Sequence, residues 1–258
     1  MRRGGRRGRP SGEYPKHDEG AVWLWGTHAV KAALANPARR SRKLLVVGAL
    51  DPAIQSLAGR AKVAVEAADA AALGRALPRD AVHQGVALLT HPLDELDIHD
   101  AIEGAAPPRR LVVLDQVTDP HNLGAILRSA AAFGACAVVV HERSTPPAGG
   151  VLAKAASGAL EVVPLVRVVN ISRTLDELAE LGFLRLAFAE EAAESLETLD
   201  LDRDVALVLG AEGEGLRRLT REKCDVSVRL PTAPAMPSLN VSNAAAVGLY
   251  ACAVARRQ

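Results

Sequence analysis

Aromatic residues are scarce in this chain of 258 residues: two Trp, two Tyr and three Phe, or 3% of the total. The core must therefore be built from Ala, Val and Leu. Cysteine is also scarce. Cys136, Cys224 and Cys252 are odd in number and form no C-x-x-C pair. That argues against a disulfide framework or a structural zinc site and fits a reducing cytoplasm. No apolar run reaches the ~18 residues of a membrane helix. The basic N-terminus has no apolar h-region behind it, so no secretory signal is expected. HExxH, GxSxG and Walker A sequences are all missing, which removes the simplest zinc-protease, hydrolase and P-loop readings. The seven histidines are scattered.

What remains is ordinary for a soluble globular protein: 49% apolar and 24% charged residues. The length suits one large domain or two modest ones. The net charge of +1 hides an asymmetry. The first nine residues, MRRGGRRGR, carry five arginines and no acid; the other 26 basic and 30 acidic residues leave a net −4. Residues 1–19 read as a disordered Arg/Gly-rich tail able to attract polyanions, RNA among them, or simply to solubilise the chain.

Two α/β stretches follow. In residues 20–95, VWLWG and RKLLVVG read as strands, DPAIQSLAGRA and DAAALGRALP as helices, and HQGVALLTHP as another strand. Residues 96–109 turn polar and end in Pro107-Pro108, the pattern of a linker. From 110 to 258, apolar strands such as LVVLD, ACAVVV and DVALVLG alternate with helical segments. This implies a parallel sheet covered on both faces. In such sheets ligands bind beyond the carboxyl ends of the strands.

Three loops at strand ends carry unusual polar residues. In DQVTDPHNLGAILRSAAAFGA (115–135), Asn122 is suited to cap the following helix. Arg128 stands among small and apolar residues, which suggests a half-buried guanidinium in need of an anion, either a structural carboxylate or a phosphate. In LVLGAEGEGLRRL (207–219) the glycines read G-x-x-G-x-G, not G-x-G-x-x-G, and Glu212 and Glu214 would repel a pyrophosphate. A nicotinamide-dependent oxidoreductase is thereby disfavoured, and the loop reads as a close backbone approach to a ligand that is not anionic there. In PSLNVSNAAA (237–246), Ser242 is a plain N-cap for the last helix. Ser238 and Asn240 remain as side chains that could face a substrate.

In this order, NLGAILRSA, LVLGAEGEGL and LP-x₆-SLNVS-x-A resemble the three motifs of the SpoU/TrmH family of RNA ribose 2′-O-methyltransferases. WGTHAVKAAL and HQGVALLT are similar to the small RNA-binding domain of its two-domain members. The resemblance covers residues 23 to about 256. It implies a SPOUT-type α/β fold with a C-terminal trefoil knot, S-adenosylmethionine as methyl donor, no metal and a cytoplasmic homodimer. It also implies an RNA substrate, a guanosine of 23S ribosomal RNA, with tRNA as the alternative. A non-catalytic RNA-binding protein of the same fold is a second alternative.

Carried over by motif, Asn122, Arg128, Glu212, Ser238 and Asn240 fall at catalytic positions. Leu209, Gly210, Leu230 and Leu239 fall at cofactor-binding positions. The third motif departs from the family pattern: Thr232 stands where relatives usually have Met, and Pro234 where they usually have Gly. Pro237 also directly precedes Ser238. Proline lacks an N–H, so no backbone donor is available at residue 234.

Overall fold

The computed structural model describes residues 20–255. The Arg/Gly tail of residues 1–19 lies outside them. The first sheet contains β1 (Val22–Trp25), β2 (Ser41–Val46), β3 (Ala64–Ala67) and β4 (Val86–Thr90), in the order β1-β4-β2-β3. β4 is antiparallel to both β1 and β2, and β3 is parallel to β2. Helices α1 (Thr27–Ala35) and α2 (Pro52–Arg60) supply Val30, Leu34 and Ile54 to one buried face; α3 (Ala70–Ala76) supplies Leu73 to the other. The short strand β3 was not legible as a strand. Its four residues are all exposed, so no apolar pattern marks them.

The stretch expected as a linker contains α4 (Ile98–Glu103), capped by Asp97, whose carboxylate accepts from the Asp100 N–H at 2.8 Å. Ile98, Ala101 and Ile102 of α4 are buried against the second sheet. This part of the connector is thus ordered by apolar burial.

The second sheet is wholly parallel. Its strands are β5 (Arg110–Leu114), β6 (Ala137–His141), β7 (Leu165–Val168), β8 (Leu184–Phe188), β9 (Glu194–Ser195), β10 (Val205–Leu209) and β11 (Val226–Arg229). Their order is β7-β6-β5-β10-β8-β11-β9. Alternate residues of each strand serve opposite faces, as the pleat requires. Val112 and Leu114 join one core with α5 (Pro120–Ala132), α6 (Gly150–Ala156) and α9 (Val241–Ala255). Leu111 and Val113 join the other with α4 and α7 (Ile171–Glu180), and the short α8 (Arg218–Glu222) packs beside α7. This double burial explains why β5, β6 and β10 read as unbroken apolar runs.

The two sheets are not independently cored. Leu24, Leu44 and Leu88 of the first belong to the same buried cluster as Leu114 of the second and Leu123 of α5 packed on it. A buried ion pair spans the junction: the Arg39 guanidinium donates to Glu161 at 2.5 and 3.1 Å, and both side chains are at most 5% exposed.

Candidate functional site

The three strand-end loops meet at the carboxyl edge of the second sheet. α5 leaves β5 through Asp119, which caps it by accepting from the His121 N–H at 3.0 Å. Asn122, expected as the cap, therefore lies inside the first turn. Asp and Asn are equally good caps, and Pro120 fixes the start of the helix one residue after Asp119. Asn122 is released from capping and turns toward the other two loops.

The side chains of Asn122, Glu212 and Asn240 form one node. Asn122 Nδ2 donates to Glu212 Oε1 at 3.0 Å, and Asn240 Nδ2 donates to Asn122 Oδ1 at 3.0 Å. Asn240 Nδ2 also makes a short contact with Glu212 Oε1. The remaining oxygen of Asn240 caps α9. It accepts from the Ser242 N–H at 2.9 Å and from the Ser242 hydroxyl at 2.5 Å. The expected roles are thus exchanged: Asn240 is the cap of α9, and Ser242 is the residue being capped. Local sequence could not decide between them, because helix register is set by the packing of Val241 and Ala245 into the core.

Beside this node lies a cavity of about 710 Å³ between the loops that follow β10 and β11. Leu209, Gly210, Leu230, Ser238 and Leu239, five of the residues expected there, line it, as do Glu212 and Asn240. Gly210 has a steric reason to be glycine. A Cβ there would lie 2.1 Å from the backbone of Gly215, because the loop folds back through an Ala211–Gly215 bridge.

The departures in the third loop form a small structure of their own. The Met236 N–H donates to the Ala233 carbonyl at 2.9 Å, which places Pro234 at the second position of a turn, where its fixed φ is favourable. The Thr232 hydroxyl closes the loop on the Pro237 carbonyl at 2.9 Å. Pro234 does not line the cavity.

Arg128 differs from expectation. It is exposed, not half-buried, and has no hydrogen-bond or ion-pair partner among the described residues. It shares a stripe of α5 with His121, which is also exposed, and is not among the cavity walls. Its apolar neighbours in the sequence are buried by the other faces of the helix: Leu123, Ile126 and Leu127 face the core. The structural carboxylate considered for it is absent among the described residues.

Two polar features at this edge were missed. Asp115, at the end of β5, is fully buried and pairs with Arg217, whose Nη2 lies 2.6 Å and Nε 2.8 Å from Oδ1. The Arg217 N–H adds a 3.2 Å bond to Oδ2. This pair ties the far end of the glycine loop to β5. The available signal was a carboxylate closing the apolar run Leu111–Leu114. At the cavity rim Glu191 contacts Arg221. Its own backbone N–H and that guanidinium hold the Glu191 carboxyl below the usual range.

Comparison with known proteins agrees with this geometry. Residues 109–250 match the model of the SpoU rRNA methylase family, and residues 23–96 match an RNA 2′-O ribose methyltransferase substrate-binding model. The chain is 40% identical over 245 residues to a Pseudomonas putida 23S rRNA (guanosine-2′-O-)-methyltransferase, covering 91% of this chain and 96% of that one. It is 41% identical over 234 residues to the Pseudomonas aeruginosa enzyme of the same name, covering 88% and 94%. Among solved structures, the Streptomyces viridochromogenes SpoU methyltransferase AviRb in complex with AdoMet superposes with a TM-score of 0.80 at 24% identity, over 93% of this chain and 92% of that chain. With the family model matched across more than half its length and close relatives spanning both sheets, the chain belongs to the SpoU rRNA methylase family.

Proposed function

We propose that this protein transfers a methyl group from S-adenosylmethionine to a ribose 2′-hydroxyl of RNA, a guanosine of 23S ribosomal RNA. One observation carries the reading. Asn122, Glu212 and Asn240, far apart in sequence, converge through hydrogen bonds at the mouth of a cavity walled by the second and third motif loops. The relatives named for this reaction span nearly the full length of the chain, which favours ribosomal RNA over tRNA.

The cavity fits the donor. Its volume lies within the roughly 300–1,000 Å³ of small-molecule sites. The walls combine backbone at Gly210 with the apolar side chains Leu209, Leu230 and Leu239, which suit an adenine ring. S-adenosylmethionine brings its methyl already activated on a sulfonium, so the protein's tasks are alignment and charge stabilisation. Asn122 and Asn240, fixed by Glu212, would orient the ribose, and Ser238 lines the same cavity. Arg128 would clamp an RNA phosphate and stabilise the developing alkoxide. A guanidinium stays protonated in nearly all proteins, which favours this role over proton abstraction.

Arg128 can meet the reacting oxygen only if RNA or a second copy of the chain brings the two together. We infer a homodimer across the face formed by α5 and α9. This face exposes Val247 and Tyr250, and Phe133, just past the end of α5, packs edge-on to Tyr250 at 5.9 Å. We also infer that the C-terminal segment is threaded as a trefoil knot. In support, the chain leaves β11 near one edge of the sheet and returns as α9 against central β10 and its neighbour β5, whose buried Arg110 donates to the Cys252 carbonyl at 3.3 Å.

The test is to map 2′-O-methylation in 23S rRNA and tRNA from cells with and without the protein. Loss of one guanosine 2′-O-methyl mark from 23S rRNA is expected. An unchanged rRNA map would overturn the assignment, and loss of a tRNA mark instead would move the substrate to tRNA.

A further inference from the structure

Where the two sheets meet, three positive-φ residues bring turns together. Gly26 (φ 86) precedes α1, and Gln84 (φ 55) and Gly85 (φ 80) precede β4. Gln84 pays the left-handed penalty that a glycine would escape, which calls for a compensating role of its side chain. Its Oε1 accepts three hydrogen bonds: from the Thr27 N–H at 3.1 Å, the Thr27 hydroxyl at 3.3 Å and the Lys154 ammonium of α6 at 2.7 Å. A backbone N–H and an ammonium can only donate, so the amide orientation is unambiguous. The Gln84 –NH₂ is left without a partner among the described residues, on an exposed side chain.

The surroundings are rich in donors. The His83 Nδ1 accepts from the Gly85 N–H at 3.1 Å, which leaves the ring proton on Nε2. His28 is exposed beside Thr27. Lys154 has no carboxylate partner among the described residues, and two of its three N–H groups remain after Gln84 is satisfied. Among the described residues, no acidic side chain hydrogen-bonds to this cluster. An ammonium with no carboxylate partner among the described residues, hydrogen-bonded to an exposed glutamine whose –NH₂ is unused, is complementary to an anion.

The location is informative. α6 packs so tightly on α5 that a Cβ on Gly124 would lie 2.4 Å from the Ala155 Cβ. The cluster is thus one helix away, about 8–10 Å between axes, from the helix that carries Asn122 and Arg128.

We propose that Thr27, His28, His83, Gln84 and Lys154 form a phosphate-binding site for the RNA backbone, built jointly by the two domains. It rests on the reading of the protein as an RNA methyltransferase and adds to it the place where one strand crosses from the small domain to the methyl-transfer site. Both domains contribute, so the strand is held at a fixed offset from the catalytic node.

The decisive variant is Gln84→Glu in the full chain. A glutamate keeps the acceptor for Thr27 and turns the Lys154 contact into an ion pair, so a purely structural role predicts an unchanged or higher melting temperature and unchanged RNA binding. A phosphate site predicts the opposite for RNA: the outward donors are replaced by a carboxylate. Affinity for an unmodified 23S rRNA transcript should fall about tenfold or more, while S-adenosylmethionine affinity and melting temperature hold. Lys154→Ala should weaken binding and lower the slope of log K against log salt by about one, and Lys154→Arg should restore both. RNA affinity and salt slope equal to wild type in Gln84→Glu and Lys154→Ala would overturn the proposal. If the wild-type protein itself neither binds the transcript nor methylates it, the underlying functional reading fails instead.

Discussion

Replacing Arg217 by methionine isolates the contribution of the Asp115–Arg217 pair. The substitution keeps much of the side-chain volume and removes the guanidinium. Asp115 is fully buried at the end of β5 and would keep only the 3.2 Å bond from the residue 217 N–H. Stranding a buried charge typically costs about 3–5 kcal/mol. Arg217 is 48% exposed, so water can reach part of the vacated position, and the expected cost is about 2–3 kcal/mol. At roughly 2–4 °C per kcal/mol for a chain of this size, the melting temperature should fall by about 4–12 °C. Asp115→Asn removes the other charge. In the double variant no buried charge is stranded, so the two losses should not add. A coupling of at least about 1 kcal/mol is expected in a double-mutant cycle measured by urea denaturation. Because the pair holds the end of the glycine loop, calorimetry should also show weaker S-adenosylmethionine binding in Arg217→Met. A variant within about 0.5 kcal/mol of wild type, with additive losses, would show that the pair does not anchor the loop.

Three other perturbations test separate links. Arg128→Ala should lower methyl transfer by about 10²–10³-fold while donor affinity and melting temperature stay unchanged, because this exposed side chain has no partner among the described residues; near-normal turnover would remove Arg128 from the chemistry. Asn240→Asp keeps an oxygen to cap α9 but loses the donor to Glu212 and Asn122 and sets two carboxylates together. Turnover should fall about 100-fold with little change in stability, and a large loss of stability with retained turnover would contradict the division of roles. Asp225 is held below the usual carboxylate range by its hydrogen bonds with Arg185, against the opposing effect of burial. A depressed folded pKa gives a contribution present above the unfolded value of about 3.9 and lost as pH falls through the folded value. The melting-temperature gap between wild type and Asp225→Asn, about 1–3 °C at pH 7 for a partly exposed pair, should therefore narrow as pH falls below about 4; a gap that does not narrow at all between about pH 5 and pH 2 would contradict this.

Whatever depends on local pattern can be read along the chain. Unbroken apolar runs such as Leu111–Leu114 and Val205–Leu209 announced a parallel sheet buried on both faces, because each strand must satisfy two cores. The spacing of three polar loops announced a site at the strand ends. Contacts between residues distant in the chain follow from the folded arrangement. Asn122 and Glu212 are 90 positions apart, and only the adjacency of β5 and β10 lets them share a hydrogen bond. Helix capping lay between these extremes. Asp119 or Asn122, and Asn240 or Ser242, are chemically equivalent caps until core packing fixes the register. Arg128 looked half-buried because its neighbours in sequence are apolar, but a helix sends them to the other faces, and it stands exposed. The stretch PSLNVSNAAA shows the division most plainly. Its composition marked a loop followed by a helix, while the assignment of Asn240 to both the cap and the site required Glu212 and Asn122 to arrive from elsewhere in the fold.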